Sequence, residues 1–192
     1  MEWTDSAAAE EARKGNQHAF RVLVERHSRP VFRLAFRMTG NEQDAEDVVQ
    51  ESFLRAYRQI ERFDGRAAFG TWLYRIAANC SLDLLRARKI REDRRASPTE
   101  EESFGWLENI ATQAPSPERL TQSGQIASLL RPALAQLSDM ERTAFILRHY
   151  EGCDIEQISQ VLGVKANAAK HTVFRAVQKL RRALEPVLGV AQ

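Results

Sequence analysis

The sequence predicts an all-α fold, and three observations carry that expectation. Apolar residues recur at three- and four-residue spacing along most of the chain, helix-start signals stand where those stripes begin, and no stretch alternates with period two for long enough to suggest a sheet. Residues 96–117, ASPTEEESFGWLENIATQAPSP, hold three prolines and an acidic run with no sustained periodicity. These are the signs of a linker, and they divide the chain into a half of residues 1–95 and a half of residues 118–192.

In the first half, Phe20, Leu23 and Val24, then Val31, Leu34 and Ala35, make apolar stripes on either side of Pro30, which is expected to mark a break or kink between two helices. Gly40 ends that unit. Asn41 then reads as an N-cap, with Asp44 in an acidic first turn, for a helix whose stripe is Val48, Val49, Phe53, Ala56, Tyr57 and Ile60. A third long helix is expected from about Ala67 into Arg91. In the second half, residues 126–137 read as a helix, and Ser138 with Glu141 starts another in capping-box form. Asp154 and Gln157 repeat that signal more weakly before Ile158, Val161 and Leu162, and Gly163 stops the helix after about two turns. A short helix, a glycine turn and a following basic helix give the outline of a helix-turn-helix, whose second helix enters the DNA major groove.

Composition narrows the class. With 192 residues, 43% hydrophobic and 28% charged, the chain is ordinary for a soluble globular protein. It has no apolar run near the ~18 residues that a membrane span needs. Residues 1–12 are acidic and lack the basic start and apolar core of a signal peptide, so a cytoplasmic protein with no direct membrane insertion is expected. Cys80 and Cys153 are too few for a disulfide framework and are expected as thiols. His149 and Cys153 lie four apart, but Gly152 intervenes and no second pair completes a tetrahedral metal site. No Ser/His/Asp order and no Gly-rich phosphate loop is present, so the reading is of a non-enzyme without metal or cofactor. Lysine plus arginine against aspartate plus glutamate number 18 to 15 over residues 1–95, 1 to 5 over 96–124 and 9 to 6 over 125–192, so two mildly basic segments flank an acidic one.

Three constellations carry chemistry. In VKANAAKHTVFRAVQKLRRAL, residues 164–184, six basic residues and His171 stand without one carboxylate. Val173, Val177 and Leu180 supply an inward stripe, leaving Lys165, Asn167, Lys170, His171 and Arg175 outward or flanking. Lys and Arg on phosphates give affinity, whereas Asn, Arg and Lys near the helix start read base edges. In NEQDAEDVVQESFLRAYRQI, residues 41–60, negative charge gathers in the first turns of a helix. The helix dipole stabilises it there, and simple N-terminal stabilisation explains the pattern as well as a docking surface does. In FDGRAAFGTWLYRIAANCSLDLLRARKIREDRR, residues 63–95, Phe63, Phe69, Trp72 and Tyr74 sit among Arg66, Arg75, Arg86, Arg88 and Lys89. That mixture holds unstacked bases and tracks a backbone, though much of its aromatic content also suits a core.

The order of these motifs resembles the extracytoplasmic-function family of RNA polymerase sigma factors, in the sigma-70 superfamily, over nearly the whole chain. DAEDVVQESFLRAYRQI is similar to the family's core-polymerase-binding helix, FDGRAAFGTWLYRIAANCSLDLLR to its promoter-melting and minus-ten segment, and LSDMERTAFILRHYEGCDIEQISQVLGV to the start of its fourth region. The resemblance implies two small helical domains, a region 2 bundle over residues 1–95 and a region 4 helix-turn-helix over 118–192, joined by a flexible linker that threads near the polymerase's RNA exit path. It implies that Asp44, Glu46, Asp47, Gln50, Glu51 and Phe53 meet the clamp coiled coil of the polymerase largest subunit. It implies that Phe63, Trp72, Arg75, Asn79 and Arg86 handle the melted minus-ten element, with Asn79 at or near the pocket for an extruded base. Lys165, Asn167, Lys170, His171, Arg175 and Lys179 are expected on the duplex minus-thirty-five element. Core RNA polymerase, promoter DNA and an anti-sigma factor are the implied partners. Family members commonly show Gly-Thr-Val-Lys-Ser-Arg where this chain has residues 167–172, so a usual arginine is Thr172 here. Without the first two motifs, the basic helix alone fits a free-standing helix-turn-helix regulator equally well.

Overall fold

A computed structural model describes residues 3–95, 133–134 and 136–188. Seven helices and one short 3-10 turn make up the described elements, with no strand among the described residues. The expected linker, residues 96–117, and most of the helix expected over 126–137 lie outside them.

The first half is built from α1 (Asp5–Arg13), α2 (Gln17–Thr39), α3 (Glu42–Gln59), a 3-10 turn (Ile60–Arg62) and α4 (Phe69–Arg95). Local chemistry sets its boundaries. Asn16 caps α2 by accepting from the His18 and Ala19 N–H groups at 3.0 and 3.2 Å, and Gly40 ends it at φ 75°, a left-handed conformation that glycine adopts without strain. Asn41 caps α3 through the Asp44 N–H at 3.0 Å. Pro30 does not divide α2. The two helices expected on either side of it form one of 23 residues, because the stripe on both sides, Leu23 before and Val31, Leu34 and Ala35 after, is fully buried against α3 and α4. Packing of that extent outweighs the ~3 kcal/mol that an interior proline costs.

The second half is α5 (Asp139–His149), α6 (Ile155–Leu162) and α7 (Ala166–Leu188). Ser138 with Glu141, and Asp154 with Gln157, each form a complete reciprocal capping box. Gly163 closes α6 at φ 67°, where any other residue would be strained. Ser159, 5% exposed, provides the small side chain that lets α6 approach its neighbours, as its place in the sequence suggests.

The core shows what positions everything else. Leu23, Val31, Leu34, Phe69 and Leu73 of the first half share one buried cluster with Ile146, Leu147, Ile158 and Val161 of the second. α4 runs through its middle, packing on α1, α2, α3 and α6, so it buries residues on nearly every side: Phe69, Leu73 and Ala77 on one, Cys80 and Ser81 on another. The two halves that the sequence sets apart are therefore joined here by a continuous apolar interface.

Candidate docking and nucleic-acid interfaces

The acidic face of α3 is a true surface. Glu46, Asp47 and Gln50 are exposed, and Glu51 and Asp44 are half-buried. Two of these acids are braced from within: the Arg88 guanidinium lies 3.3 Å from Asp44, and Arg55 bonds Glu51 at 2.6 Å while reaching Asp83 of α4 at 3.3 Å. Phe53 points the other way and is 8% exposed, because its position on the stripe with Ala45, Val48 and Ala56 turns it into the core. It supports this face from beneath. The apolar surface beside the acids belongs to Leu54 and Tyr57, 44% and 49% exposed. Sequence reading passed over the first and gave the second to the core stripe, although Leu54 stands three and four residues after Glu51 and Gln50.

Along α4, Phe63, Phe69 and Trp72 form a triangle of rings with centroids 5.2 to 5.6 Å apart. Phe63 and Phe69 are buried, so only Trp72 presents an edge outward. Phe63 thus fixes Trp72 and offers no face of its own. Asn79 and Arg75 are exposed one helical turn apart, in line with Trp72, and Arg86 is exposed further along, 3.7 Å from Asp83 and 4.0 Å from Asp139 of α5. A polar amide, a guanidinium and an indole edge in one row are groups suited to hydrogen-bonding and stacking on unpaired bases.

Lys165, Asn167, Lys170, His171 and Arg175 are all exposed on α7. Its buried stripe is Ala169, Thr172, Ala176 and Leu180, with Val173 and Val177 half-buried at its margin. Thr172, at the position where the usual arginine is missing, is 4% exposed and donates its hydroxyl to the Ala168 carbonyl at 2.8 Å. It faces the protein. Lys179 is already engaged: its ammonium donates to Glu141 at 2.7 Å, and Arg175 lies 3.9 Å from the same carboxylate. Burial would raise the Glu141 pKa, but the Lys179 hydrogen bond, the Ser138 N–H and the nearby ammonium charge together hold it below the ordinary 4.5. Phe174 is the residue that sequence reading missed. At 59% exposure it stands between the turns of Lys170, His171 and Arg175, and helical spacing from Lys170 and His171 was the signal.

Where the halves meet, Glu151 of the α5–α6 loop has a side chain only 1% exposed. It is ion-paired with Arg37 of α2, accepts a hydrogen bond from the Tyr74 hydroxyl of α4 at 3.1 Å, and lies 3.8 Å from Arg33. Burial and then the Glu151 charge push the Tyr74 phenol up. Nearby, a Cβ built on Gly163 would lie 3.6 Å from Arg75 Nη2, so the helix-turn-helix turn rests against the α4 row. Both cysteines are buried, and burial raises both thiols, Cys153 to about 11, leaving little reactive thiolate near neutrality. His149 packs on Phe145 at 4.8 Å between ring centroids, and no metal-binding group of three or more candidate ligands occurs among the described residues. No helix among the described residues is long and apolar enough to cross a membrane.

Comparison with known proteins adds an independent line. Residues 23–90 match the sigma-70 region 2 family and residues 127–180 the sigma-70 region 4 family. The chain is 33% identical over 187 residues to the RNA polymerase sigma-H factor of Pseudomonas aeruginosa, covering 97% of each. It is 30% identical to the ECF RNA polymerase sigma factor SigW of Bacillus subtilis, covering 96% of this chain and 98% of that one. To the ECF sigma-E factor of Escherichia coli it is 33% identical, covering 96% of both. Among solved structures, CnrH in complex with the cytosolic domain of CnrY is similar with a TM-score of 0.67 and 26% identity, covering 95% of this chain and 97% of that one. The sigma factor RpoE of Bartonella quintana, solved with the anti-sigma factor NepR, shares the fold at a TM-score of 0.59 and 20% identity, over 86% of this chain and 96% of that one.

Proposed function

The chain belongs to the extracytoplasmic-function RNA polymerase sigma factors, alternative sigma subunits that direct transcription, and we propose that it does so through three surfaces with separate tasks. The exposed acids of α3, Glu46, Asp47, Gln50 and Glu51, with Leu54 and Tyr57 beside them, dock on the clamp coiled coil of the polymerase largest subunit. The α4 row of Trp72, Arg75, Asn79 and Arg86 receives the melted minus-ten strand, with Asn79 meeting an extruded base. Binding energy from that capture offsets the few kcal/mol needed to unstack the base. The α7 face of Lys165, Asn167, Lys170, His171, Phe174 and Arg175 enters the major groove at the minus-thirty-five element. There the lysines and Arg175 anchor phosphates, and Asn167 and Phe174 are available to a base edge and a thymine methyl. In this reading residues 1–95 and 118–192 act as two modules linked by 96–117.

The observation that carries the proposal is the presence on one chain, in this order, of an acidic docking face, an exposed Asn79 row and a basic helix behind a capped turn. An anti-sigma protein completes the set of partners, as the similar chain CnrH is found with the cytosolic domain of CnrY. Such a complex forms in the cytoplasm. Reconstitution with core polymerase tests the reading: the purified chain is expected to join core enzyme and support promoter-specific transcripts. A chain that bound promoter duplex without ever joining polymerase would be a free-standing helix-turn-helix regulator instead. Asn79→Ala should abolish promoter opening while leaving polymerase binding intact, measured by permanganate reactivity of the melted strand.

A further inference from the structure

We propose that Glu151, with Arg37, Arg33 and Tyr74, is a latch that holds the free chain in a closed form unable to engage both promoter elements. The carboxylate belongs to the second half, and all three partners belong to the first. Its side chain is 1% exposed, so water does not compete for it while the halves are together. Arg37 contributes twice, since its guanidinium also lies over the Tyr150 ring at 4.9 Å.

The closed form is incompatible with a promoter for a geometric reason. Elements named for positions minus ten and minus thirty-five are about 25 base pairs apart, which is ~85 Å of duplex at ~3.4 Å per base pair. In the closed form the turn that leads into α7 touches Arg75 of the α4 row, at 3.6 Å from a Gly163 Cβ. Surfaces in contact with each other cannot both reach sites that far apart. The halves must separate before transcription starts.

Separation leaves the apolar interface and the Glu151 cluster to be solvated. A buried carboxylate that loses its partners without gaining water is strongly unfavourable, whereas one released into solvent is not. The cluster therefore favours two end states, fully closed or fully apart, over a loosened intermediate. The inference rests on the sigma-factor reading only for what opening achieves; the latch itself is a property of the free chain.

The test uses the full chain without polymerase, measuring the radius of gyration by small-angle scattering and helix content by circular dichroism. Glu151→Gln removes the charge with little change of shape, and Tyr74→Phe removes one hydroxyl. With helix content retained, Glu151→Gln is expected to shift the closed-to-open equilibrium about tenfold toward open and to increase the radius of gyration, Tyr74→Phe to do so less. Free-chain affinity for promoter duplex should rise in the same order. An unchanged radius of gyration in Glu151→Gln overturns the latch; should that variant lose helix content, an unchanged radius in Tyr74→Phe overturns it. Polymerase binding by the wild-type chain is scored separately. Its failure would remove the sigma-factor reading and leave the scattering result standing.

Discussion

α3 and α7 are both amphipathic helices whose outward faces carry mostly one sign of charge around an exposed apolar side chain, Leu54 on α3 and Phe174 on α7. Their charges stand in opposite relations to their own backbones. The acids of α3 lie at its N-terminal end, where the helix dipole stabilises them, and two are braced by Arg88 and Arg55. The lysines of α7 lie just before and within its first turns, where the dipole opposes positive charge, and its first turn holds no acid. Lys165 and Lys170 form no ion pair among the described residues. Local physics thus accounts for an acidic α3 with or without a partner. It does not account for a basic α7, whose charge makes sense only against a polyanion. The acidic face needed the family membership and the neighbouring exposed Leu54 to become a docking surface.

Charge reversal breaks the comparison most sharply. Asp47→Lys with Glu51→Lys should weaken core-polymerase binding ~100-fold or more, since like charges facing each other across an interface cost several kcal/mol. Duplex binding through α7 should survive, and native gel assays with each partner would separate the two. Lys170→Ala comes next. It should lower duplex affinity roughly tenfold at low salt and reduce the slope of log affinity against log salt by about 0.9, nearly equally on any DNA sequence.

The apolar pair gives smaller and more selective effects. Phe174→Ala should cost about 1 kcal/mol of affinity for the preferred duplex while leaving the salt slope unchanged, and Leu54→Ala a similar loss of polymerase affinity. Neither should lower the thermal midpoint appreciably, because both side chains are largely exposed. Phe53→Ala and Phe63→Ala are the controls: as buried rings they should destabilise the fold by about 3 to 5 kcal/mol, seen first in thermal unfolding.

The smallest effect concerns the brace behind α7. The folded state holds the Glu141 carboxyl below its ordinary 4.5, so its contribution to stability is complete above that pH and disappears as pH falls through the lowered folded value. Glu141→Gln should therefore melt below wild type at pH 7, with the two midpoints converging as the solution is acidified past 4.5. A constant gap across that range would mean that the hydrogen bonds, and not the charge, do the bracing.

Helix order and most boundaries were legible residue by residue, because caps are local chemistry: Asn41, Ser138, Asp154 and Gly163 each act within one turn of chain. The error at Pro30 came from the same locality, since the burial that carries α2 through it comes from α3 and α4. Among site residues, exposure of Asp47, Asn79, Lys170 and Arg175 agrees with spacing along their helices, whereas the inward turn of Phe53 and Phe63 reflects which neighbours lie against them.

By itself, the sequence determined the all-α class, the motif order that marks the family, and the acid-free basic face of α7. All three rest on periodicity and residue type, which adjacent residues express without help. Only the tertiary structure decided that Thr172 faces inward, that Lys179 is held by Glu141, and that Glu151 is buried against Arg37 and Tyr74. Those pairs lie 38, 114 and 77 residues apart in the chain, and no local pattern encodes a contact that exists only once distant helices have packed.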